Sequence, residues 1–219
     1  LGPAPKEMIA GVPAHVDGRM IAISEAAGGH VINGDRMWHY TEGVKNWDPI
    51  WPAHGIRILP GPSSMWFDAV GNWFTPPNLP GFDSMSTLRE ILATGYDYSW
   101  FVLSQKIIET EFALSGSEQN PDLTSGKWLE VIKARLLSGG GAPKPVQAFM
   151  DKGENFVVAQ TLEELVSGMN RVGDGDLIKI QKLRDQIESR DAQMDNHFTK
   201  DAQVMSIHAA RNYKGDRLV

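Results

Sequence analysis

The 219-residue sequence contains no cysteine, which excludes disulfides, thiol nucleophiles and thiolate metal sites together. No apolar run approaches the roughly 20 residues that span a bilayer. Residues 1–10 hold one lysine and no continuous apolar core, unlike a signal peptide. A basic block is also missing: the net charge is -6, with acids and bases interspersed, which argues against a nucleic-acid partner. The G-x-G-x-x-G, P-loop, H-E-x-x-H and G-x-S-x-G signatures do not occur. Gly139-Gly140-Gly141 follows an expected helix rather than a strand, so it is not placed to cradle a pyrophosphate. The six histidines are scattered without metal-ligand spacing, and no zinc site is expected. A cytoplasmic location is the default. The chain begins at Leu1 and reads as a piece processed or excised from a longer one.

Composition is that of an ordinary globular protein, 42% hydrophobic and 22% charged, long enough for one large domain or two small ones. The richest stretch runs from Arg36 to Phe74, with five of the seven tryptophans and two of the six histidines. Ser64 to Asp68 reads as a strand, Ala69 to Asn72 as a turn, and Trp73-Phe74 as the return. Arg36 to Thr41 alternates bulky and polar side chains like a half-buried strand. So many rings beside polar tips fit either a small aromatic core or one wall of a pocket for a flat apolar ligand. In the second case His39 and Tyr40 are its polar handles.

Elsewhere, Asp17 to Ala27 predicts a helix N-capped by Asp17, with Met20, Ile21 and Ile23 in its apolar stripe. His30 to Asn33 then predicts a short strand. Ser84 or Ser86 caps a helix through Leu92, and Tyr96 to Leu103 is the strongest strand signal. Ser104 to Leu114 reads as helical, Ser115 to Gly126 as a polar loop and Trp128 to Leu137 as a helix. Pro145 to Lys152 predicts a short helix and Asn155 to Ala159 a short strand. Thr161 with Glu164 forms a capping box. Asp174 to Asp191 and Asp201 to Arg211 complete the helices, the first with Leu177, Ile180, Leu183 and Ile187 on one face. The fold class is α+β, with a small, mostly antiparallel sheet and several helices.

Tyr96 and Tyr98 lie two apart on a strand and share a face, so their phenols can meet either a protein partner or a substrate carbonyl. Lys200 follows Asn196-His197-Phe198-Thr199 between two helices.

Taken in order, these pieces resemble the fumarate reductase and 3-ketosteroid dehydrogenase family of FAD-dependent oxidoreductases. His15 to Met20 with Ala26 to Gly29 is similar to the family's TGDGxxMA…GA helix. Met37-Trp38-His39-Tyr40-Thr41 lies where relatives have a QxHPT-like strand, and Gly61 to Phe74 looks like their GGxLxVNxxGxRF hairpin. Tyr98 to Gln105 resembles the WxVxD strand, Thr161 to Leu165 the TxEELA helix start, and Phe198-Thr199-Lys200 stands where many have F-G-R.

The resemblance implies residues 1–35 as a partial segment of an FAD-binding domain, 36–205 as a substrate-capping domain, and 206–219 as the return. It implies FAD as cofactor in the intact protein, with the dinucleotide-binding motif outside this chain, and Asp17 and Gly18 as cofactor contacts. Partners are then a small apolar substrate and the remainder of the same flavoprotein. Lys200 replaces the F-G-R arginine and lacks its bidentate fork, which argues against dicarboxylate chemistry. Ketosteroid dehydrogenases use tyrosines, so Tyr98, Tyr40 and Lys200 are the catalytic candidates, and His39, Trp66, Tyr96 and Trp100 the substrate-binding ones. The implied reaction is hydride transfer between FAD and a CH–CH bond of an apolar ketone of steroid-like type. A non-catalytic, tryptophan-rich ligand-binding module is the alternative.

Overall fold

The computed structural model describes residues 6–35, 39–81, 83–115, 126–127, 129 and 141–211. In chain order its elements are α1 (Arg19–Ala26), β1 (Gly43–Lys45), β2 (Gly55–Leu59), β3 (Met65–Asp68), α2 (Ser84–Ala93) and β4 (Ser99–Val102). Then follow α3 (Gln105–Thr110), β5 (Ala113–Ser115), α4 (Lys144–Lys152), α5 (Leu162–Val172), α6 (Ile180–Asp191) and α7 (Ala202–Arg211). The fold is α+β. Its strands form two small antiparallel sheets instead of the single one expected, ordered β1-β2-β5 and β3-β4 among the described residues.

The hairpin beginning at Met65 is the centre of the fold. All four residues of β3 are buried, so both of its faces are covered. Met65 and Phe67 point to a core with Val166, Met169 and Leu183 of α5 and α6, while Trp66 packs on the other side with Phe74 and Ile91. The turn closes as expected. The Asp68 carboxylate accepts the backbone N–H groups of Val70 and Asn72 at 3.0 and 2.8 Å, and Gly71 takes the left-handed φ of 77°. A second core joins Ile56 and Ile58 of β2 to Phe112, Leu114 and Phe149.

Several expectations are corrected. Residues 39–41 are not strand, and 36–38 lie outside the described residues, as does most of the 115–126 loop and all but residue 129 of the 128–137 helix. The helix expected to reach Leu114 stops at Thr110, because Ala113 to Ser115 pair with β2 as β5, while Phe112 and Leu114 both enter the core. His30 to Asn33 and Asn155 to Ala159 carry no strand assignment. Val31 and Ile32 are exposed, and an isolated extended segment without a ladder partner has nothing to hold it as a strand. Asp174 to Lys179 is not helical: Gly175 takes φ 97°, and the Asn170 side chain bonds both the N–H and the C=O of Ile178, at 2.9 Å each. The helix from Ser84 is capped by Asp83, whose carboxylate accepts from Met85 and Ser86, not by a serine.

The capping box at α5 forms as expected. Thr161 Oγ1 accepts from Glu164 N at 3.2 Å and Glu164 Oε2 accepts from Thr161 N at 3.3 Å. Gly168, inside α5, lets Val157 lie directly against the helix; a Cβ there would run into Val157 Cγ1. No helix among the described residues is long and apolar enough to cross a membrane.

Candidate functional site

The segment leading into β4 gathers one part of the expected site. Of the strand expected over 96–103 only Ser99–Val102 forms, so Trp100 lies in β4 and Tyr96 and Tyr98 in the stretch before it. Tyr98 sits edge to face with Trp100 at 5.6 Å and with Tyr96 at 6.0 Å. The Tyr98 hydroxyl accepts the N–H of Asp174 at 3.1 Å, leaving its own hydrogen for another acceptor. Gly173 permits that approach, since a Cβ there would sit 2.7 Å from the phenolic oxygen. Burial pushes the Tyr98 phenol above its ordinary value of 10.0; the Asp174 N–H pulls it back in part, and the negative charge of Asp174 adds a smaller push upward. The phenol is therefore protonated at neutral pH. The Trp100 indole N–H, buried beside it, makes no hydrogen bond among the described residues.

The other candidates stand apart from this row. Tyr40 is 47% exposed, with the Arg57 guanidinium 3.9 Å above its ring. His39 is partly buried, its Nε2 3.3 Å from the carbonyl oxygen of Ser84. Lys200 is exposed in the connection before α7. Trp66, expected in a ligand wall, is a core residue: it is buried, its N–H donates to Ser99 Oγ at 2.9 Å, and its ring stacks on Phe101 at 4.6 Å. It has no free face for a ligand.

Asp17 and Gly18 begin α1. Gly18, not Asp17, is the N-cap residue, with φ 81° and no side-chain cap. The Asp17 carboxylate instead binds the side chain and backbone of Arg19, and the Arg19 side chain above all holds it below the usual carboxylate range. Residues 15–20 line an open hollow of about 410 Å³. An ionised acceptor beside a side-chain-free backbone fits contact with one edge of an FAD molecule, through a ribityl or ribose hydroxyl, but does not enclose one.

Two polar groupings escaped the sequence reading. Near the start of β1, Thr41 Oγ1, Glu42 Oε2 and Arg57 Nε are buried with no hydrogen-bond partner among the described residues, Glu42 (4% exposed) and Arg57 lying on opposite faces of the β1-β2 pair. Unpaired buried polar atoms are costly enough that each marks a place to look for a ligand or partner. The alternation of β1 against β2 carries that signal, because it turns Glu42 toward the same face as Ile58. The second grouping borders a cleft of about 960 Å³ between α3 and the end of α6. Ser63 donates from N and Oγ to the Glu111 carboxylate at 2.9 and 2.7 Å, and Arg190 Nη1 donates to Ser63 O at 3.0 Å. Among the described residues no three His, Cys, Asp or Glu side chains group to hold a metal ion.

The model of the FAD binding domain matches residues 1–217. The chain belongs to the FAD binding domain family. A KsdD-like steroid dehydrogenase of Mycolicibacterium smegmatis is 55% identical over 217 residues, covering 99% of this chain and 39% of that protein. Two KsdD-like steroid dehydrogenases of Mycobacterium tuberculosis are 53% and 52% identical over 99% of this chain and 38% of each. The chain thus spans about two fifths of the length of these relatives, 38–39%. No solved structure matches it. Family membership agrees with the motif order read from the sequence, and the FAD binding domain match extends through the whole of the described fold.

Proposed function

We propose that this chain is the substrate-capping portion, with a flanking piece of the cofactor domain, of a flavin-dependent dehydrogenase acting on a CH–CH bond of an apolar, steroid-like ketone. The observation that carries the reading is identity of 52–55% over 99% of the chain to proteins named as steroid dehydrogenases. The proposed division is 1–35 in the cofactor domain, 36–205 in the cap and 206–219 in the return. Bound FAD supplies the hydride acceptor or donor. Asp17 and Gly18 would meet one edge of it.

The remaining roles belong to this chain's own side chains. Tyr98 moves the proton that accompanies hydride transfer, its raised pKa keeping it a donor at neutral pH. Tyr40 is the second proton-handling candidate, its ring held under Arg57, and Lys200 occupies the F-G-R position. His39, Tyr96 and Trp100 face the substrate. The exposed apolar stripe of α1, with Met20, Ile21 and Ile23 between 53% and 66% exposed, supports a surface completed by the remainder of the flavoprotein. A tryptophan stacking platform has less support, since Trp66 is buried, Trp51 is stacked on His54 at 3.7 Å and Trp47 lies 4.1 Å beneath the Lys152 ammonium.

The test is the purified full-length protein. Flavin absorption that bleaches anaerobically on adding a 3-ketosteroid is expected. A colourless protein, or a flavin indifferent to every flat apolar ketone tried, refutes the reading. The 219-residue chain alone is expected to retain no flavin on gel filtration.

A further inference from the structure

The cleft between α3 and α6 has the make-up of a ligand site that none of the residues above explains. Its volume, about 960 Å³, falls within the range of small-molecule pockets. Its walls are apolar, formed by Met65, Val102, Leu103, Ile107, Ile187 and Met194. Its charges cancel: Lys106 and Arg190 against Glu111 and Asp191. One of them is unusual. The Arg190 side chain is 10% exposed, yet only Nη1 is hydrogen-bonded, to Ser63 O. Its Nε is buried and forms an ion pair with Asp191 Oδ1 at 2.9 Å, without a hydrogen bond among the described residues. With one hydrogen bond to Ser63 and one ion pair to Asp191, the guanidinium keeps donors for an oxygen placed in the cleft.

We infer that this cleft binds a neutral, rigid, mostly apolar molecule, with Arg190 donating to a carbonyl or hydroxyl oxygen at one end. A free carboxylate on the ligand would unbalance the paired charges of the lining, whereas a neutral oxygen takes up the spare donors without adding charge. The walls then cover the carbon skeleton. For the choice of ligand the inference rests on the steroid-like reading above, and it makes Arg190 the specificity determinant for the end of the molecule that enters the cleft.

Binding of progesterone, a neutral tetracyclic diketone, to the full-length protein by equilibrium dialysis tests this. Arg190→Gln is expected to weaken binding roughly 10-fold, the scale of one hydrogen bond to a charged donor, and Arg190→Lys to recover part of it. Ile107→Trp, which fills the cleft without touching Arg190, is expected to abolish binding, with flavin content and circular dichroism unchanged. Wild-type affinity in either Arg190→Gln or Ile107→Trp overturns the inference, as does a cleft that takes up no progesterone because protein covers it. The two readings fail separately. Flavin reduction by progesterone with an unchanged KM in both variants sinks the cleft alone. A flavin that progesterone cannot reduce, with binding still lost in both variants, sinks the dehydrogenase reading alone.

Discussion

Replacing Tyr98 with Phe separates a proton-transfer residue from a strut. The phenol does one visible structural job, accepting the Asp174 N–H at 3.1 Å across the turn between α5 and α6. Deleting the oxygen frees that N–H at an exposed end of the turn, where water replaces the lost partner. The stability cost is therefore at the low end of about 0.5–1.5 kcal/mol. For a protein of this size that lowers Tm by roughly 2–4 °C for each kcal/mol. Catalysis responds on another scale, since removing a positioned general acid or base costs roughly 10²–10⁴ in rate. Stopped-flow reduction of the bound flavin by a 3-ketosteroid, at saturating substrate and below the melting range, compares the two. A fall of two orders or more with nearly unchanged Tm supports the proton role. A rate within about threefold of wild type removes Tyr98 from the catalytic set and leaves it as the residue that fixes the α5–α6 turn.

The same phenol gives a pH prediction: its folded pKa lies above the ordinary 10.0, so its contribution is intact below pH 10 and is lost as pH rises through the folded value. Tyr98→Phe should lose less stability than wild type in urea melts taken above pH 10. Leu183→Ala, at a side chain with no exposed surface between α5 and the hairpin, should cost about 2–5 kcal/mol in urea unfolding. Thr161→Ala removes one half of the α5 capping box and should cost about 0.5–2 kcal/mol. Gly168→Ala should destabilise despite a helix-propensity gain of about 1 kcal/mol, because the new methyl meets Val157 Cγ1; a higher Tm would refute that packing argument.

Elements whose signals are local were legible in the sequence. The Thr161 capping box, the turn at Gly71 and the short helix at Lys144–Lys152 depend on residues within a few positions of one another, and each forms where the pattern puts it. Elements that need a distant partner were not. Ala113-Leu114-Ser115 is a strand only three residues long, and its start reads as the tail of a helix until β2 appears beside it. His30 to Asn33 fails in the opposite sense, having strand composition and no ladder to join among the described residues. The stripe of α1 is real at helical spacing, but it faces outward, a distinction no single-sequence period can make.

Site residues divide along the same line. Tyr96, Tyr98 and Trp100 meet because they are close neighbours in the chain, so their row was available from spacing even though only Trp100 lies in β4. Arg190 and Ser63 are 127 positions apart, and nothing near Arg190 in the sequence distinguishes it from the other charges of α6. What distinguishes it is the environment: a side chain nine-tenths buried whose Nε is ion-paired to Asp191 but makes no hydrogen bond among the described residues. Glu42 is the same case, an ordinary acidic residue in sequence and a buried one in the fold. Aromatic richness drew attention to the stretch from Arg36 to Phe74, yet Trp66 spends its ring on the core. Hydrogen bonds left unmade inside the protein are therefore the stronger guide to where a ligand belongs, because their cost is removed only by something that accepts or donates there.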